Sequence, residues 1–377
     1  MNIAILGLGT IGSGVYELLK DNKDFTVKKI LDIRCWMDNM TTDIEDIVND
    51  ETISLVVETM GGLHPAREYA LKCIAAGKSY ISANKLLISE CASELQAAAN
   101  ENNVALLFSA ACGGGIPFLY NLNKTKMTDR ILKVGGILNG TSNYILDKIF
   151  TEGETYDSAL KQAQELGYAE RDPSSDVEGL DTLRKLVLSC AVAYGKLIDQ
   201  YSIPCHGISM IDVMDIQYAL QRKGFIKLMA CGENAQDGKT NAYVMPKLVN
   251  QSDVAASIRR NVNYAYYRGE RIGEFGFTGQ GAGKFPTANN IIRDLYVACS
   301  GEKRMFLDRL DLDKAENSLE KTFYIRVQKP TDELLGLAAN IVEKNEWKQI
   351  TTRKISFDAL ERALKGLGQY FVMIVED

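Results

Sequence analysis

The sequence predicts an α/β fold: a doubly wound parallel sheet of the Rossmann type, a second α/β domain and a short α+β tail. The chain has 377 residues, more than one domain usually holds, so two or three domains are expected. Strand and helix patterns alternate through the first hundred residues, which favours parallel β-α units. A glycine-rich motif lies between the first strand and the first helix, where a dinucleotide-binding fold requires it.

The composition is that of an ordinary soluble globular protein, with 46% hydrophobic and 24% charged residues. A net charge of −6 argues against a nucleic-acid partner and against an anionic membrane surface. No apolar run approaches the roughly 20 residues that cross a bilayer. The amino terminus lacks the basic region of a signal peptide. We therefore expect a cytoplasmic protein with no membrane partner.

The eight cysteines are scattered and contain no C-x-x-C pair, and the several that lie in apolar segments indicate reduced core residues, not a disulfide framework or a zinc site. The only histidines are His64 and His206. A histidine-based metal cage and a Ser-His-Asp triad are therefore not expected. Any proton chemistry must use lysine, aspartate, glutamate or tyrosine side chains.

The glycine motif follows an apolar strand at Asn2–Leu6 and opens a helix. It consists of Gly7, Leu8, Gly9, Thr10, Ile11 and Gly12. Gly7 allows a tight turn, Gly9 lets the backbone approach a pyrophosphate, and Gly12 lets helix and strand pack closely. The N–H groups at the start of the helix suit phosphate oxygens. The segment from Leu8 to Gly12 is therefore a candidate cofactor site, although glycines can also serve a tight turn without a ligand.

The second strand, at about Thr26–Ile33, contains Asp32 twenty residues beyond Gly12. An acid at that spacing binds the adenosine ribose 2′-hydroxyl and favours NAD. Arg34 lies two residues further on, where it could instead meet the 2′-phosphate of NADP or stack on adenine. The sequence therefore leaves NAD and NADP open, with a slight preference for NAD.

Two later strands also end in polar residues. Ser54–Glu58 leads into Thr59, and Ser79–Ser82 leads into Lys85. Ligands of doubly wound sheets lie beyond the carboxyl ends of the strands, which places the Lys85 ammonium group near the cofactor. An exposed lysine with no role is the alternative.

The stretch from Gly167 to Lys185 is the richest in candidate chemistry. A loop with Tyr168, Glu170 and Asp172 leads into a helix predicted from about Asp176, which is a plausible N-cap. Asp181 and Lys185 lie four residues apart, so an acid and an amine share one helix face. The alternative is an ordinary ion pair on a surface helix.

Three further segments are expected near a ligand. Glycines 113–115 indicate a backbone that lies close to another group. The turn at residues 139–143, which contains Thr141, either faces a ligand or caps a helix. Residues 279–287 lead into a helix that Pro286 is suited to begin.

These motifs resemble those of the homoserine dehydrogenase family, in the same order and over about residues 1–300. The matching segments are G-L-G-T-I-G-S-G-V, V-V-E-T-M-G-G, S-A-N-K-L-L, C-G-G-G-I-P, L-N-G-T-S-N-Y-I-L, G-Y-A-E-R-D-P-S-S-D-V-E-G-L-D-T-L-R-K and G-A-G-K-F-P-T-A. The resemblance implies interconversion of L-homoserine and L-aspartate 4-semialdehyde with NAD or NADP, and a homodimer or homotetramer formed through the second domain.

The resemblance also implies a role for each matched residue. Lys185 would donate or accept the proton at the substrate carbonyl, with Lys85 assisting at the nicotinamide. Glu170, Asp176 and Asp181 would hold the ammonium and hydroxyl ends of the amino acid. The pocket would be lined by Tyr168 and Thr141, and the cofactor would contact the Gly9–Gly12 backbone, Thr59 and Gly283.

Two features depart from the family. A glutamate usually stands where this chain has Ser109, and that acid belongs to a monovalent-cation site with backbone carbonyls near Cys112 and Gly114. No bound metal is therefore expected. Many relatives also end in an ACT regulatory domain, whereas the tail here is short and ACT-like but lacks a recognisable element.

Three domains are predicted. Residues 1–125, completed by a helix at 286–300, form the dinucleotide-binding domain. Residues 126–285 form the substrate and dimerisation domain, and residues 320–377 form the tail. The tail pattern is a strand, a helix at 332–344, a strand, a helix and a strand. Two alternatives remain for function: a related dehydrogenase of another small amino acid or semialdehyde, and a non-catalytic NAD(P)-binding sensor.

Overall fold

The first part of the chain forms a six-stranded parallel sheet. A computed structural model describes residues 1–234, 238–303, 305 and 311–376. The strands of this sheet are β1 (Asn2–Leu6), β2 (Thr26–Leu31), β3 (Met40–Thr41), β4 (Ile53–Glu58), β5 (Ser79–Ser82) and β6 (Leu106–Leu107). Their order is β3-β2-β1-β4-β5-β6, with every neighbouring pair parallel. The predicted doubly wound sheet is confirmed, and its order reverses between β1 and β4, where such sheets bind ligands.

Helices cover this sheet because its central strands are apolar. Ile3, Ile5 and Leu6 of β1 are fully buried. The helices are α1 (Thr10–Leu19), α2 (Glu45–Val48), α3 (Ala66–Ala75) and α4 (Lys85–Glu101). A late helix, Lys284–Cys299, packs against α1. The sequence predicted that this helix begins at Pro286, and it begins two residues earlier.

The middle of the chain supplies a mixed sheet and the helices around it. The strands are β7 (Ile131–Ile137), β8 (Lys196–Ile198), β9 (Gly224–Asn234), β10 (Thr240–Asn250), β11 (Val262–Gly269), β12 (Gly273–Gln280) and β13 (Asp311–Asp313). The helices are α5 (Phe118–Thr125), α6 (Gly140–Glu152), α7 (Tyr156–Glu165), α8 (Ser174–Val177), α9 (Leu180–Tyr194), α10 (Val213–Gln221) and the late helix, now α11. Strands β8 and β13 pair separately.

The helix predicted from Asp176 is broken in two. Gly179 has a φ of +84°, which ends α8 and lets α9 begin at Leu180. The N-cap prediction for Asp176 is therefore wrong, because the residue lies inside α8. The Asp176 side chain instead accepts a hydrogen bond from Asn139 Nδ2 at 2.6 Å.

The tail contains a strand where the sequence predicted helix. Its elements are β14 (Glu320–Val327), α12 (Asp332–Leu337), β15 (Ala338–Lys344), β16 (Trp347–Thr352), β17 (Ile355–Ser356), α13 (Phe357–Leu364) and β18 (Tyr370–Glu376). The predicted helix through residue 344 is wrong: it stops at Leu337, and β15 pairs with β16 in an antiparallel hairpin. Asn345, with a φ of +55°, makes the tight turn of that hairpin.

The strand β15 is the element that the sequence pattern lacked. With it, the main elements follow a β-α-β-β-α-β order, which is ferredoxin-like. The tail strands run β18-β14-β16-β15, and β18 extends the mixed sheet by pairing with β10. The assignment of the tail as an ACT-type regulatory domain stays a prediction.

In the described part of the chain, no helix is long and apolar enough to cross a membrane. All eight cysteines are free thiols. Within the same residues, no group of three or more histidine, cysteine, aspartate or glutamate side chains is placed to hold a metal ion.

Candidate active site

A cavity of about 970 Å³ lies where the first sheet meets the mixed sheet. Its walls come from the turn after β7, the loop before α8 and α8 itself, the first turn of α4, the first two turns of α9, and the segment before α11. The residues that line it are Lys85, Asn139, Gly140, Thr141, Leu166, Gly167, Tyr168, Glu170, Asp172, Ser175, Asp176, Asp181, Lys185, Asn261, Gln280, Gly281, Ala282, Gly283 and Pro286. The structure therefore brings together all the residues predicted to bind substrate or to catalyse.

A single carboxylate in this wall holds two ammonium groups. Asp181 Oδ1 lies 2.7 Å from Lys85 Nζ, and Asp181 Oδ2 lies 2.6 Å from Lys185 Nζ. Burial alone would raise the pKa of Asp181, but the charges of Lys185 and Lys85 outweigh it and hold that pKa well below its usual value. The charge of Asp181 in turn raises the pKa of Lys85. Asp181 and Lys85 are therefore both ionised at neutral pH.

The Lys185 side chain is buried and fixed at two points. Helical spacing brings it to Asp181, and its Nζ also donates to Leu138 O at 2.5 Å. An ammonium group has three N–H donors, so these two bonds leave one for a ligand. Lys85 differs, since its side chain is 38% exposed at the start of α4. Helix geometry allowed the Asp181–Lys185 pair to be predicted from the sequence. It could not predict that Lys85 also contacts Asp181.

Asn139 connects the two acids of the site. It is the N-cap of α6, because its side-chain oxygen accepts the Ser142 N–H at 2.8 Å. Its nitrogen donates to Asp176 Oδ1 at 2.6 Å and to Asp181 Oδ2 at 2.9 Å. The sequence left the turn open between capping a helix and facing a ligand; Asn139 caps α6 and also lines the cavity. Burial raises the pKa of Asp176, which lies further from the lysines.

The opposite wall of the cavity is the loop before α8. Thr141 Oγ1 donates to Tyr168 O at 2.7 Å, which ties this loop to the start of α6. The Tyr168 ring lies edge-on to Tyr144, with 5.1 Å between the ring centroids. Glu170 and Asp172 are exposed on the same loop. The loop therefore places carboxylates at the cavity mouth, where a cationic group of a ligand would enter.

The glycine turn after β1 has the shape that a dinucleotide phosphate requires. Gly9 has no neighbouring atom within 4 Å of the place where a Cβ would stand, so its backbone faces open space. Among the residues that the structure describes, no side chain caps the first turn of α1. Gly12 could carry no side chain, because a Cβ there would lie 1.9 Å from Gly7 O. These features fit a pyrophosphate bound at the N-terminus of α1.

Neighbouring side chains brace this turn. Thr59 Oγ1 donates to Gly7 O at 2.7 Å, and Asp32 Oδ2 accepts the Leu8 N–H at 2.8 Å. Partial burial would raise the pKa of Asp32, but the hydrogen bonds from Leu8 and Arg34 outweigh it and lower that pKa. The Arg34 side chain is 67% exposed. A carboxylate and an exposed guanidinium, whose Nε lies 3.5 Å from Asp32 Oδ1, therefore stand side by side where an adenosine ribose would lie.

The candidate cofactor residues lie in two groups. Leu8, Gly9, Thr10, Ile11, Gly12, Asp32, Arg34 and Thr59 surround the carboxyl ends of β1, β2 and β4, whereas Lys85 and Gly283 line the cavity. The two groups are connected by the close packing of α1 against α11. A Cβ added to Gly14 of α1 would lie 2.9 Å from Lys284 of α11. A ligand bound along both groups would extend from the glycine turn into the cavity.

Glu58 is a buried acid at the carboxyl end of β4 that was not among the residues predicted from the sequence to belong to the site. It accepts hydrogen bonds from Ser82 Oγ at 2.6 Å and from the Met60 N–H at 2.8 Å, so it joins the ends of β4 and β5. It also lies 3.4 Å from Asn84 Nδ2, next to Lys85. Burial raises the pKa of Glu58. The sequence feature that could have identified Glu58 is an acidic residue at the end of an apolar strand.

Comparison with known proteins agrees with this geometry. A family model described as homoserine dehydrogenase matches residues 117–296, and one described as its NAD-binding domain matches residues 7–109. The homoserine dehydrogenase of Synechocystis sp. is 39% identical over 333 residues, covering 82% of this chain and 77% of its own length. That of Lactococcus lactis is 32% identical over 404 aligned positions, covering 100% and 92%.

A solved structure shows the same fold. The homoserine dehydrogenase of Thiobacillus denitrificans superposes with a TM-score of 0.88 at 28% identity, covering 100% of this chain and 98% of that one. The parallel sheet, the NAD-binding match and the extent of identity lead to one assignment. The chain belongs to the homoserine dehydrogenase family of NAD(P)-binding oxidoreductases that act on a CH–OH group.

Proposed function

We propose that this chain interconverts L-homoserine and L-aspartate 4-semialdehyde in the cavity described above. The observation that carries the proposal is the buried Asp181 carboxylate, which holds Lys85 and Lys185 on the cavity wall opposite an acidic loop. A fixed proton donor and a carboxylate-lined entrance are what reduction of an amino-acid aldehyde needs from the protein.

We propose that the acidic side of the cavity binds the substrate ammonium group. Glu170 and Asp172 line the mouth, and Asp176 lies deeper, bonded to Asn139. Hydrogen bonds between an ammonium group and carboxylates are short and strong. Tyr168 and Thr141 would set the width of the cavity on that side. The substrate carbonyl would then point towards the two lysines.

Lys185 acts as the proton donor in the reductive direction. Its remaining N–H can reach a substrate oxygen, while Asp181 and Leu138 O keep the ammonium group in place. When bound, the nicotinamide cofactor supplies or accepts a hydride at the substrate carbon. Lys85 is close enough to share the developing negative charge on the oxygen, because both lysines are held by the same carboxylate. In the oxidative direction the substrate hydroxyl gives up a proton, so alkaline pH should favour oxidation.

The cofactor would be held by the backbone from Leu8 to Gly12, with Thr59 and Asp32 fixing the turn. Asp32 disfavours a 2′-phosphate by charge, whereas the exposed Arg34 favours it. We propose that both NAD and NADP bind, with NAD preferred.

One assay tests the reaction. Homoserine-dependent formation of NADH and of NADPH should be measured side by side, with serine and threonine as control amino alcohols. We expect reduction of the nicotinamide with homoserine only. Equal rates with all three would favour a dehydrogenase of broader specificity, and cofactor binding without turnover would favour a sensor.

The domain boundaries and the assembly are further proposals. Residues 1–125 with α11 would bind the dinucleotide, residues 126–285 the substrate and a partner subunit, and residues 320–377 would form the tail domain. The edge strand β12 supports a homodimer or homotetramer through the second domain, since Phe275 in it is 48% exposed. Light scattering on the purified chain measures the subunit number. A cytoplasmic location is proposed from composition.

A further inference from the structure

A buried asparagine joins α11 to the three-glycine segment. Asn290 is fully buried, and its side-chain nitrogen lies 2.8 Å from Gly114 O and 3.2 Å from both Ser109 O and Ile116 O. All three acceptors are backbone carbonyls of one short segment. They converge on one point, which the carboxamide nitrogen occupies.

The orientation of this carboxamide follows from its partners. Arg293 Nη1 donates to Asn290 Oδ1 at 2.6 Å, so the oxygen must face the guanidinium group. The nitrogen must then face the carbonyls. It carries two hydrogens for three acceptors, so the carbonyls share them. Backbone carbonyls that converge in this way are also the ligands of alkali cations, as in potassium-selective filters.

The family resemblance implies a monovalent cation in this segment, and the residues present do not fit one. Position 109 carries a neutral serine whose Oγ lies 3.8 Å from Met305 Sδ. The nearby Asp294 carboxylate already accepts the Ser109 N–H at 2.7 Å. Gly114 O, which would be a cation ligand, is bonded to Asn290.

We propose that the Asn290 carboxamide takes the place of a monovalent cation in this chain, so that neither folding nor turnover requires Na⁺ or K⁺. The amide supplies the positive end of a dipole to the same carbonyls without adding a net charge. No carboxylate is then needed at position 109, which accounts for the serine there.

The segment that Asn290 holds supports the active-site wall. A Cβ on Gly114 would lie 2.5 Å from Gly281 O, and the Gly115 N–H donates to Gln280 O at 3.1 Å. Gln280 and Gly281 line the cavity. The amide therefore performs the structural task of an ion, since it fixes the backbone against which this wall packs.

The first test is the thermal unfolding midpoint of the wild-type protein in sodium, potassium and tetramethylammonium chloride at equal ionic strength. We expect the three midpoints to agree within about 1 °C, because no ion binds specifically. A midpoint several degrees higher in sodium or potassium at millimolar concentration would overturn the proposal. This measurement needs no turnover, so its outcome is separate from that of the proposed reaction.

The second test replaces the amide. Asn290→Ala should lower the midpoint by about 5 °C, because three buried carbonyls lose their donor. Asn289→Ala is the matched control, an exposed asparagine on the same helix, and should change little. Equal midpoints for the two variants would overturn the proposal.

The third test restores the cation position. The double variant Ser109→Glu with Asn290→Ala supplies a carboxylate and vacates the carbonyls. We expect its midpoint to rise in sodium or potassium relative to tetramethylammonium. A folded double variant with no such rise would show that the carbonyls are not a cation position, and would contradict the substitution of amide for ion. If the double variant does not fold, the Asn290→Ala comparison decides.

Discussion

At the residue scale, the active site depends on one carboxylate that orients two lysines which otherwise repel each other. Asp181 contacts Lys85 with one oxygen and Lys185 with the other. Lys185 is buried and has a backbone acceptor besides, whereas Lys85 is partly exposed at the start of α4. The two lysines therefore have unequal surroundings, and their removal should have unequal effects.

Lys185→Ala should lower kcat by about 10²–10⁴, the usual contribution of a positioned acid–base group. Cofactor affinity should change little, because the glycine turn lies elsewhere. Lys85→Ala should change both the KM for the cofactor and kcat. Lys148→Ala is a matched control, since Lys148 forms an i,i+4 ion pair with Glu152 on another helix. A near-normal kcat for Lys185→Ala with an inactive Lys85→Ala would reverse the two roles.

Asp181→Asn should change the pH dependence of the reductive reaction. The Asp181 charge raises the pKa of Lys85, so removing that charge lets burial lower the pKa of this lysine. Lys85 should then lose its charge at lower pH, and the alkaline decline of kcat/KM should move towards neutrality. The pH profile of aldehyde reduction measures this. An unmoved alkaline limb would mean that the carboxylate does not control the lysine charge.

At the scale of elements, the break between α8 and α9 builds the site. Gly179 lets α8 end, so that Asp176 and Asp181 face the same asparagine from two different helices. Asn139 begins a third helix, α6, and its amide connects all three. The site is therefore a meeting point of helix ends.

Asn139→Ser separates the two tasks of this residue. Serine is also a good N-cap, so the cap of α6 should be retained. It lacks the donor that reaches Asp176 and Asp181, and a hydrogen bond to a charged group contributes about 1.5–3 kcal/mol. We therefore expect kcat/KM to fall by about 10- to 100-fold. Full activity of this variant would show that the link between the acids is dispensable.

At the scale of the whole molecule, the tail is joined to the second domain by a buried ion pair. Arg326 of β14 donates to both Asp215 oxygens, at 3.0 and 3.2 Å, and the two side chains are 3% and 0% exposed. Tyr324 adds a hydrogen bond to Asp215 at 2.9 Å. Since β18 also pairs with β10, the tail is anchored by both sheet and side chains.

Arg326→Ala should destabilise the protein by about 3–5 kcal/mol, because it leaves the Asp215 charge buried without its partner. Arg362→Ala is the control: it removes an exposed arginine of the same tail, whose partner Glu333 is 3.7 Å away, and should cost less than about 1 kcal/mol. Denaturant unfolding measures both. Equal midpoints would show that the buried pair does not hold the tail in place.

The features that the sequence predicted are those set by local geometry. The alternation of strands and helices follows from the spacing of hydrophobic residues. The turn after β1 needs glycines because of its backbone angles and its close packing. The parallel sheet was therefore predictable. Asp181 and Lys185 meet because four residues make about one helical turn. The tail hairpin was missed because residues 338–344 are compatible with either helix or strand. Their pairing with β16 decides between the two.

Only the tertiary structure decided which distant side chains meet. Lys85 reaches Asp181 because α4 and α9 pack together, and Asn139 reaches two acids because Gly179 turns the chain. The Asn290 amide among three carbonyls has no sequence signature at all. Sequence spacing determines contacts within one helix or turn, since backbone geometry is fixed there. Contacts between elements depend on how buried surfaces pack, which no local pattern specifies.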